Sequence, residues 1–316
     1  MSAPPRAGVP AGRGASARAG GDPGAAARRR HRRRRRQGLL LVAPALIVLA
    51  ALTAYPTLWV LWLSLQRRIP IFGIERFEGL GNFVFLAGDP RFWNAVRVTL
   101  GFTVASVGLE LVGGLAVALM LRGQHVGRRA AISLLLLSWA LPSVVTAKLF
   151  EWLFNPTAGL VNFALGGAAL NWLGDPALAL PGVIVADAWR TLPFVALLCY
   201  ARLATIPPAI YEAAQMDGAG ALATFWRITL PLSRQILLIA VLFRTLDALR
   251  AFDVMFILTG GGPAGTTETL TVYAYRSLFQ TLQLGLGSAV GVAVFALVMA
   301  VAWGYLRALR REGLTA

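Results

Sequence analysis

The chain has 316 residues, of which 57% are hydrophobic and only 14% are charged, and it carries a formal net charge of +16. Soluble domains contain roughly 25% charged residues. Together with a mean hydropathy of +0.65, this composition argues against an ordinary soluble enzyme. Cys199 is the only cysteine, which excludes an intrachain disulfide and a cysteine-based metal cluster.

The N-terminal arm, residues 1–37, joins a stretch rich in Gly, Pro, Ala and Ser to the basic run RRRHRRRRR at residues 28–36. Its composition predicts disorder. Such a run is compatible with nucleic-acid binding, but no nucleic-acid-binding fold follows it. Because the run adjoins the first apolar segment, we expect it to orient the chain in a membrane and to attract anionic lipid, with no nucleic-acid partner.

Six apolar segments follow, each long enough for a helix that crosses a bilayer, which takes about 20 residues. Their polar residues are isolated rather than arranged in stripes, which disfavours a soluble helical protein. The first segment has full span length, so we expect a retained anchor rather than a cleaved signal peptide. The sequence predicts an all-α transmembrane domain over residues 38–316, with spans at 39–65, 95–121, 130–154, 178–200, 236–259 and 284–306.

The distribution of arginine predicts the orientation of these spans, because short cytoplasmic loops carry an excess of Lys and Arg. If both termini are cytoplasmic, the arm, the second and fourth loops and the C-terminus lie inside, and together they hold most of the arginines. Arg67 and Arg68 are exceptions, but they directly follow a helix end, where long side chains reach the interface. We predict an N-in, C-in topology.

Side chains for enzymatic chemistry are scarce. The only lysine, Lys148, has no glycine-rich turn before it, so the chain lacks a P-loop for ATP hydrolysis. The only histidines, His31 and His125, both lie in Arg-rich segments. We therefore expect no catalytic triad, no metal site and no enzymatic activity.

The fourth loop, residues 204–234, is longer and less apolar than a bare connector. Residues 206–235 read IPPAIYEAAQMDGAGALATFWRITLPLSRQ. Pro207 and Pro208 stop the preceding helix, Gly218 interrupts the helical pattern, and Pro231 sets a bend before the fifth span. A short helix–Gly–helix unit on the membrane surface suits docking into a groove of a partner, and an amphipathic connector resting on lipid fits the same pattern.

This loop resembles the EAA loop of permease subunits of bacterial binding-protein-dependent ABC importers. The matching positions are Glu212, Ala213, Ala214, Asp217, Gly218, Ala219, Phe225, Ile228, Leu230 and Pro231. Further segments, such as LTGGGPAGTTETLTVYAYRSLF after the fifth span, are similar to carbohydrate permeases of the maltose type, over roughly residues 39–310. One position departs from the family: Gln235 stands where a second proline is common.

The resemblance implies the six-helix ABC importer permease fold in a bacterial cytoplasmic membrane. It also implies three kinds of partner: a second permease subunit that completes a heterodimer, two copies of an ATPase subunit that bind ATP and Mg in place of this chain, and an external sugar-binding lipoprotein. The ATPase-coupling residues would be Glu212, Ala213, Ala214, Asp217 and Gly218. At Gly218, glycine allows a backbone turn or close approach that a side chain would obstruct.

Ionisable residues inside membrane spans mark cavities or ion pairs. Two sets, beginning at Asp187 and at Arg244, have i, i+3, i+4 and i+7 spacing, so each shares one helical stripe. They are interpreted either as ion pairs that hold the bundle together or as a polar cavity that binds sugar hydroxyls. The resemblance favours the cavity and adds an aromatic residue that would stack on a sugar ring. The predicted substrate-binding residues are Trp139, Asp187, Arg190, Thr191, Phe194, Arg244 and Asp247.

The other ionisable residues of the spans are assigned structural roles. Lys148 with Glu151, and Arg250 with Asp253, are predicted to neutralise each other as i, i+3 pairs. Glu110 is predicted to be a buried polar contact to a neighbouring helix.

The overall pattern is similar to permeases for α-linked disaccharides such as trehalose or maltose. Importers of glycerol-3-phosphate or glycerophosphodiesters share much of this framework, and cavity arginines would suit a phosphate. The maltose-type pattern has mainly neutral polar groups in the cavity, so the charged ones leave the substrate open. An ion-coupled secondary transporter is the alternative from another class, but it predicts internal repeats and leaves the EAA loop unexplained.

Overall fold

The structure is a computed structural model that describes residues 23–123, 126–167 and 170–311. It is mainly helical, and one antiparallel hairpin, β1 (Gln66–Ile69) and β2 (Ile74–Phe77), is joined by a 3-10 turn. The helices, in chain order, are α1 (Pro23–Ser64), α2 (Gly81–Gly88), α3 (Pro90–Gly123), α4 (Arg128–Ala140), α5 (Ser143–Leu153), α6 (Leu160–Ala164), α7 (Ala179–Ala204), α8 (Pro208–Met216), α9 (Ala221–Thr224), α10 (Leu230–Ala248), α11 (Asp253–Thr259), α12 (Leu270–Tyr275) and α13 (Leu284–Arg311).

Among the described residues, five helices are long and apolar enough to cross a membrane. They are Leu40–Ser64, Pro90–Gly123, Ala179–Ala204, Ala221–Ala248 and Leu284–Ala308. A sixth crossing forms if α4 and α5 act as one span, although they bend by 98° where they meet. The predicted third span is therefore a broken helix, because Pro142 offers no N–H and Leu141 before it is extended (ψ 134°).

The predicted fifth span, 236–259, is wrong at both ends. The helix begins at Ala221, passes through a π-helical turn at Phe225–Thr229 and continues as α10 to Ala248, whereas α11 is a separate short helix. Pro231 lies in the first turn of α10 and does not start a new helix. A π-helical turn directly precedes Leu230 and Pro231, and the helix continues through both as one candidate span.

The N-terminal arm is only partly described. Residues 1–22 lie outside the described residues, so disorder there stays a prediction. Helix α1 begins at Pro23. This corrects the expectation of disorder through residue 37. Ala and Arg, which dominate this stretch, are among the best helix formers. By its contacts the chain divides into two units, Met1–Thr57 and Leu58–Ala316.

Within the second unit, α3, α7 and α10 pack against one another. Glycines allow α3 and α7 to approach closely: a Cβ at Gly114 would lie 2.8 Å from Val195 Cγ1 and 3.0 Å from the backbone nitrogen of Ala196. Small residues serve the same purpose in membrane helix pairs generally. One apolar cluster, which includes Cys199 and Leu237, joins these helices.

Candidate functional site

A buried ionic cluster lies where α3, α7 and α10 meet. The Arg244 guanidinium donates hydrogen bonds from Nε and Nη2 to the two carboxylate oxygens of Glu110, the second at 2.7 Å. Nη2 also donates to Asp187 Oδ2 at 3.0 Å, and Nη1 donates to Asp247 Oδ2 at 2.5 Å. One arginine on α10 therefore binds carboxylates on all three helices.

Glu110 makes further contacts within this cluster. Its Oε1 lies 2.8 Å from both Ser106 Oγ and Thr191 Oγ1, and Ser106 Oγ is also 3.0 Å from Asp187 Oδ2. Since Glu110 is completely buried, these contacts replace the water that a carboxylate would otherwise require. The prediction that Glu110 is a buried polar contact to a neighbouring helix is confirmed.

Two adjoining cavities open beside this cluster and bring the predicted substrate-binding residues together. The first has a volume of about 220 Å³ and the second about 170 Å³. The residues around the first cavity are Trp139, Arg190, Thr191, Phe194, Phe243, Arg244, Asp247 and Arg250. Asp187, the remaining predicted residue, lies on the second cavity, which shares Arg190, Arg244 and Asp247 with the first.

One wall of the first cavity is aromatic. The rings of Trp139 on α4 and Phe194 on α7 are stacked, with centroids 6.2 Å apart and an interplanar angle of 22°. Phe243 on α10, which is well exposed, extends the apolar surface. A cavity lined by aromatic rings and by charged hydrogen-bonding groups suits a ligand with both an apolar face and hydroxyl groups.

The charged residues of the cavities differ in how much of each side chain is available. The side chains of Arg244 and Asp187 are both 4% exposed, whereas that of Asp247 is 54% exposed. Among the described residues, Arg190 has one ion-pair contact, between Nη2 and Asp187 Oδ1 at 3.4 Å. Its Nε is buried and has no hydrogen-bond partner among the described residues. Arg190 and Asp247 thus retain polar groups that can hydrogen-bond to a ligand.

The sequence analysis did not select Phe243 and Arg250. Arg250 was assigned to a pair with Asp253, and this pairing is wrong: its guanidinium lies 3.8 Å from Asp247, and Asp253 accepts a 2.5 Å hydrogen bond from Ser143 Oγ instead. Helical i, i+3 spacing does not hold here because α10 ends at Ala248. The predicted Lys148–Glu151 pair is confirmed, at 2.6 Å.

The loop that resembles an EAA loop begins with α8. Glu212 and Ala213 are exposed, whereas Ala214 is buried. After α8, Gly218 has φ +73°, and its N–H donates to Gln215 O at 3.0 Å while that of Ala219 donates to Ala214 O at 2.9 Å. This pair of hydrogen bonds is a Schellman motif, which requires a left-handed residue at Gly218.

The sequence analysis gave two reasons for glycine at position 218, a backbone turn or a close approach. The structure supports the first, because the residue is left-handed. A Cβ placed there meets nothing within 4 Å, so no neighbour among the described residues demands the space. Glycine is required here by conformation.

Contacts to α3 and α7, and one within the loop, hold this loop in place. The Arg122 guanidinium at the end of α3 lies over the Tyr211 ring, 3.7 Å from its centroid. Tyr211 Oη is 3.3 Å from Thr229 Oγ1, and Arg202 Nε donates to the carbonyl oxygen of Leu232 at 3.0 Å. Apolar side chains remain exposed beside the loop, namely Met216, Leu222 and Trp226.

A second ionic cluster, which the sequence analysis missed, lies at the other end of α3. Arg91 binds the buried Glu268 carboxylate with two hydrogen bonds of 2.8 and 2.6 Å, and Arg276 Nη1 binds it at 3.0 Å. Arg91 also lies over the Tyr273 ring. The Tyr273 hydroxyl donates a hydrogen bond to Asp89 Oδ2 at 2.7 Å, and burial together with this bond raises the pKa of Tyr273. This cluster ties the loop after α11 to the start of α3.

Comparison with known proteins identifies the family. Residues 110–311 match the family described as "Binding-protein-dependent transport system inner membrane component". The trehalose/maltose transport system permease protein MalF of Thermococcus litoralis is 37% identical over 84% of this chain and 91% of its own length. The trehalose transport system permease protein SugA of Mycobacterium tuberculosis is 36% identical over 84% and 86%. The sulfoquinovosyl glycerol transport system permease protein SmoG of Agrobacterium fabrum is 36% identical over 86% and 89%.

A solved structure shares the fold. It is the crystal structure of a bacterial ABC transporter involved in the import of the acidic polysaccharide alginate, with a TM-score of 0.77 and 23% identity over 90% of this chain and 99% of that one. The family is a membrane-spanning transport component, and in such systems ATP hydrolysis belongs to a separate subunit. This chain is thus a multi-pass protein of the cytoplasmic membrane. It belongs to the binding-protein-dependent transport system inner membrane components and is the permease subunit of a sugar ABC importer.

Proposed function

We propose that this permease moves an uncharged α-linked disaccharide, such as trehalose or maltose, from an external binding protein into the cytoplasm. The observation that carries the proposal is the first cavity, which is lined by the stacked rings of Trp139 and Phe194 together with Arg190 and Asp247. An aromatic face packs on the apolar face of a pyranose, and charged groups bind its hydroxyls. Two of the relatives are named for trehalose or maltose transport.

The charge balance of the cavities favours a neutral substrate over an anionic one. Three arginines lie on the first cavity, and each is within 4 Å of a carboxylate: Arg190 of Asp187, Arg244 of three carboxylates, and Arg250 of Asp247. A phosphate would have to compete with these carboxylates for the guanidinium groups. For this reason we rank glycerol-3-phosphate or a glycerophosphodiester below a disaccharide. An ion-coupled secondary transporter is set aside with the family assignment.

In the proposed assembly the chain pairs with a second permease subunit and two copies of an ATPase subunit, and it receives sugar from an external binding lipoprotein. The coupling residues Glu212, Ala213, Ala214, Asp217 and Gly218 lie in the loop that would contact the ATPase. Exposed Glu212 and the exposed apolar side chain of Met216 are available to that partner. With N-in, C-in topology the loop faces the cytoplasm, where ATP is present, and membrane lipid surrounds the helices.

Uptake measurements test the substrate. Cells that lack the chromosomal gene are complemented with this chain, and uptake of labelled trehalose, maltose and glycerol-3-phosphate is compared. We expect disaccharide uptake that falls about tenfold in Asp247→Asn, since a charge-assisted hydrogen bond is lost. Glu151→Gln is the control, because Glu151 is also partly exposed and paired at i−3 with a basic residue but lies on neither cavity. Preferential uptake of glycerol-3-phosphate would contradict the proposal.

A further inference from the structure

Glu110 lies behind the wall of the proposed sugar site. It is on neither cavity and is completely buried. Yet it binds two residues that are on the first cavity: Arg244, through both carboxylate oxygens, and Thr191, at 2.8 Å. A carboxylate in this place has no access to substrate, but it determines where its two partners lie.

Arg244, the main partner of Glu110, has little left to offer a substrate. A guanidinium has five N–H groups, and Arg244 makes four hydrogen bonds to carboxylates. Its side chain is 4% exposed. Arg244 instead binds the Asp247 carboxylate at 2.5 Å. The Asp247 side chain lies on both cavities and is more than half exposed.

These contacts form a chain of three side chains that ends in the cavity. Glu110 on α3 binds Arg244 on α10, and Arg244 in turn binds Asp247. Arg190, which has a buried Nε without a partner among the described residues, provides the complementary donor. Arg190 and Asp247 thus line the cavities, whereas Glu110 lies behind them and contacts Asp247 only through Arg244.

We propose that Glu110 is a positioning residue for the sugar site: it holds Arg244, and through Arg244 the carboxylate of Asp247, in the geometry that binds the sugar. Asp247 and Arg190 make the contacts with the sugar hydroxyls. This assignment rests on the proposed function, since it assumes that the ligand of the cavities is a sugar.

If the Glu110–Arg244 pair only stabilises the fold, its variants should behave differently than if it positions Asp247. Breaking a buried pair by removing one partner leaves an uncompensated charge, whereas replacing both partners by apolar residues of similar volume is often nearly neutral for stability. In Glu110→Met/Arg244→Met every remaining carboxylate keeps a basic neighbour: Asp187 keeps Arg190, and Asp247 keeps Arg250. The double variant should therefore regain stability, but Asp247 would no longer be held by Arg244.

The experiment measures sugar binding at the cavity directly, so that affinity of the external binding protein does not enter. Phe243→Cys places an accessible thiol on the first cavity, and the only native cysteine, Cys199, is buried. Membranes that carry the assembled transporter are labelled with a permeant maleimide in increasing trehalose or maltose. The sugar concentration that halves the labelling rate is compared with the melting temperature of the purified complex.

In the Phe243→Cys background, we expect Glu110→Gln to raise the half-protecting concentration about tenfold and to lower the melting temperature. The double variant should recover the melting temperature but not the protection, and Glu110→Asp should recover part of both. Glu151→Gln is the control that should change neither. If the double variant regains the parental half-protecting concentration, Glu110 only stabilises the fold. Because Phe243 itself lies on the cavity, uptake by the Phe243→Cys parent is first compared with uptake by the native chain. If the native chain takes up neither trehalose nor maltose, the proposed function fails, and this assignment fails with it.

Discussion

The Arg122 guanidinium, near the end of α3, lies 3.7 Å from the centroid of the Tyr211 ring in α8. The same α3 helix carries Glu110, which binds Arg244 beside the cavities. One helix therefore contacts both the loop that resembles an EAA loop and the ionic cluster of the proposed sugar site.

Arg122→Met should loosen α8 from α3 and reduce uptake several-fold, because a cation–π contact contributes about 0.5–2 kcal/mol. ATP hydrolysis by the reconstituted transporter should fall less than sugar transport, which raises the number of ATP molecules used per sugar. Arg129→Met is the control, as Arg129 is an exposed arginine of the neighbouring segment. An unchanged ratio of ATP to sugar would show that the contact with Tyr211 has no part in coupling.

Gly218→Asp should abolish uptake while the protein still reaches the membrane. The residue is left-handed, with φ +73°, a conformation that costs an L-residue about 1–2 kcal/mol, and the Schellman turn that follows α8 would be distorted. Gly220→Ala is the matched control, because Gly220 lies in the same loop with an ordinary extended backbone and open space at its Cβ position. Uptake and membrane abundance are measured together. Normal uptake in Gly218→Asp would exclude the coupling role of this turn.

Gly114→Ala should destabilise the α3–α7 packing, because the added Cβ would lie 2.8 Å from Val195 Cγ1 and 3.0 Å from a backbone nitrogen that cannot move aside. Gly108→Ala in the same helix has nothing within 4 Å of its Cβ position and should be tolerated, since alanine favours helix by about 1 kcal/mol over glycine. Melting temperatures of the two variants in detergent provide the comparison. Equal effects would mean that α3 and α7 are not packed as described.

Glu268→Gln should lower stability more than any exposed ion-pair variant. The buried carboxylate binds both Arg91 and Arg276, and removing one member of a buried pair costs about 3–5 kcal/mol. Because Arg91 is partly exposed, the expected loss is nearer the lower limit. Glu75→Gln, which breaks an exposed pair with Arg68, should cost less than about 1 kcal/mol. The melting temperatures of both variants test whether Glu268→Gln is the more destabilising of the two.

Trp139→Ala should reduce uptake more than Trp139→Phe, because phenylalanine keeps an aromatic face stacked on Phe194. Trp152→Ala is the control: Trp152 is an exposed tryptophan of α5 that lies on none of the cavities described. Complex assembly is measured by co-purification with the partner subunits. Equal uptake in both Trp139 variants would show that the ring does not stack on the substrate.

Predictions from the sequence succeeded where the contacts are local. Helical spacing placed Lys148 beside Glu151 and Arg244 beside Asp247, and both pairs are present. Spacing failed for Arg250 and Asp253 because it assumes an unbroken helix, whereas the helix ends at Ala248 before both residues.

The central pairings join residues far apart in the chain, and no local pattern encodes them. Glu110 and Arg244 are 134 positions apart, and Arg91 and Glu268 are 177 apart. Each depends on how the helices pack. The sequence analysis recognised Glu110 as buried but could not identify its partner, and it gave Glu268 no role.

The helix from Ala221 to Ala248 begins just after Gly218 and carries Arg244 near its far end. At 1.5 Å per residue, Ala221 and Arg244 are about 34 Å apart along its axis. A tilt of about 5° around the middle of such a rod displaces each end by about 1.5 Å, enough to break the hydrogen bonds between Arg244 and Glu110. This helix therefore connects the loop to the ionic cluster, so a small displacement of its loop end would disturb the contacts of Arg244 at the other end.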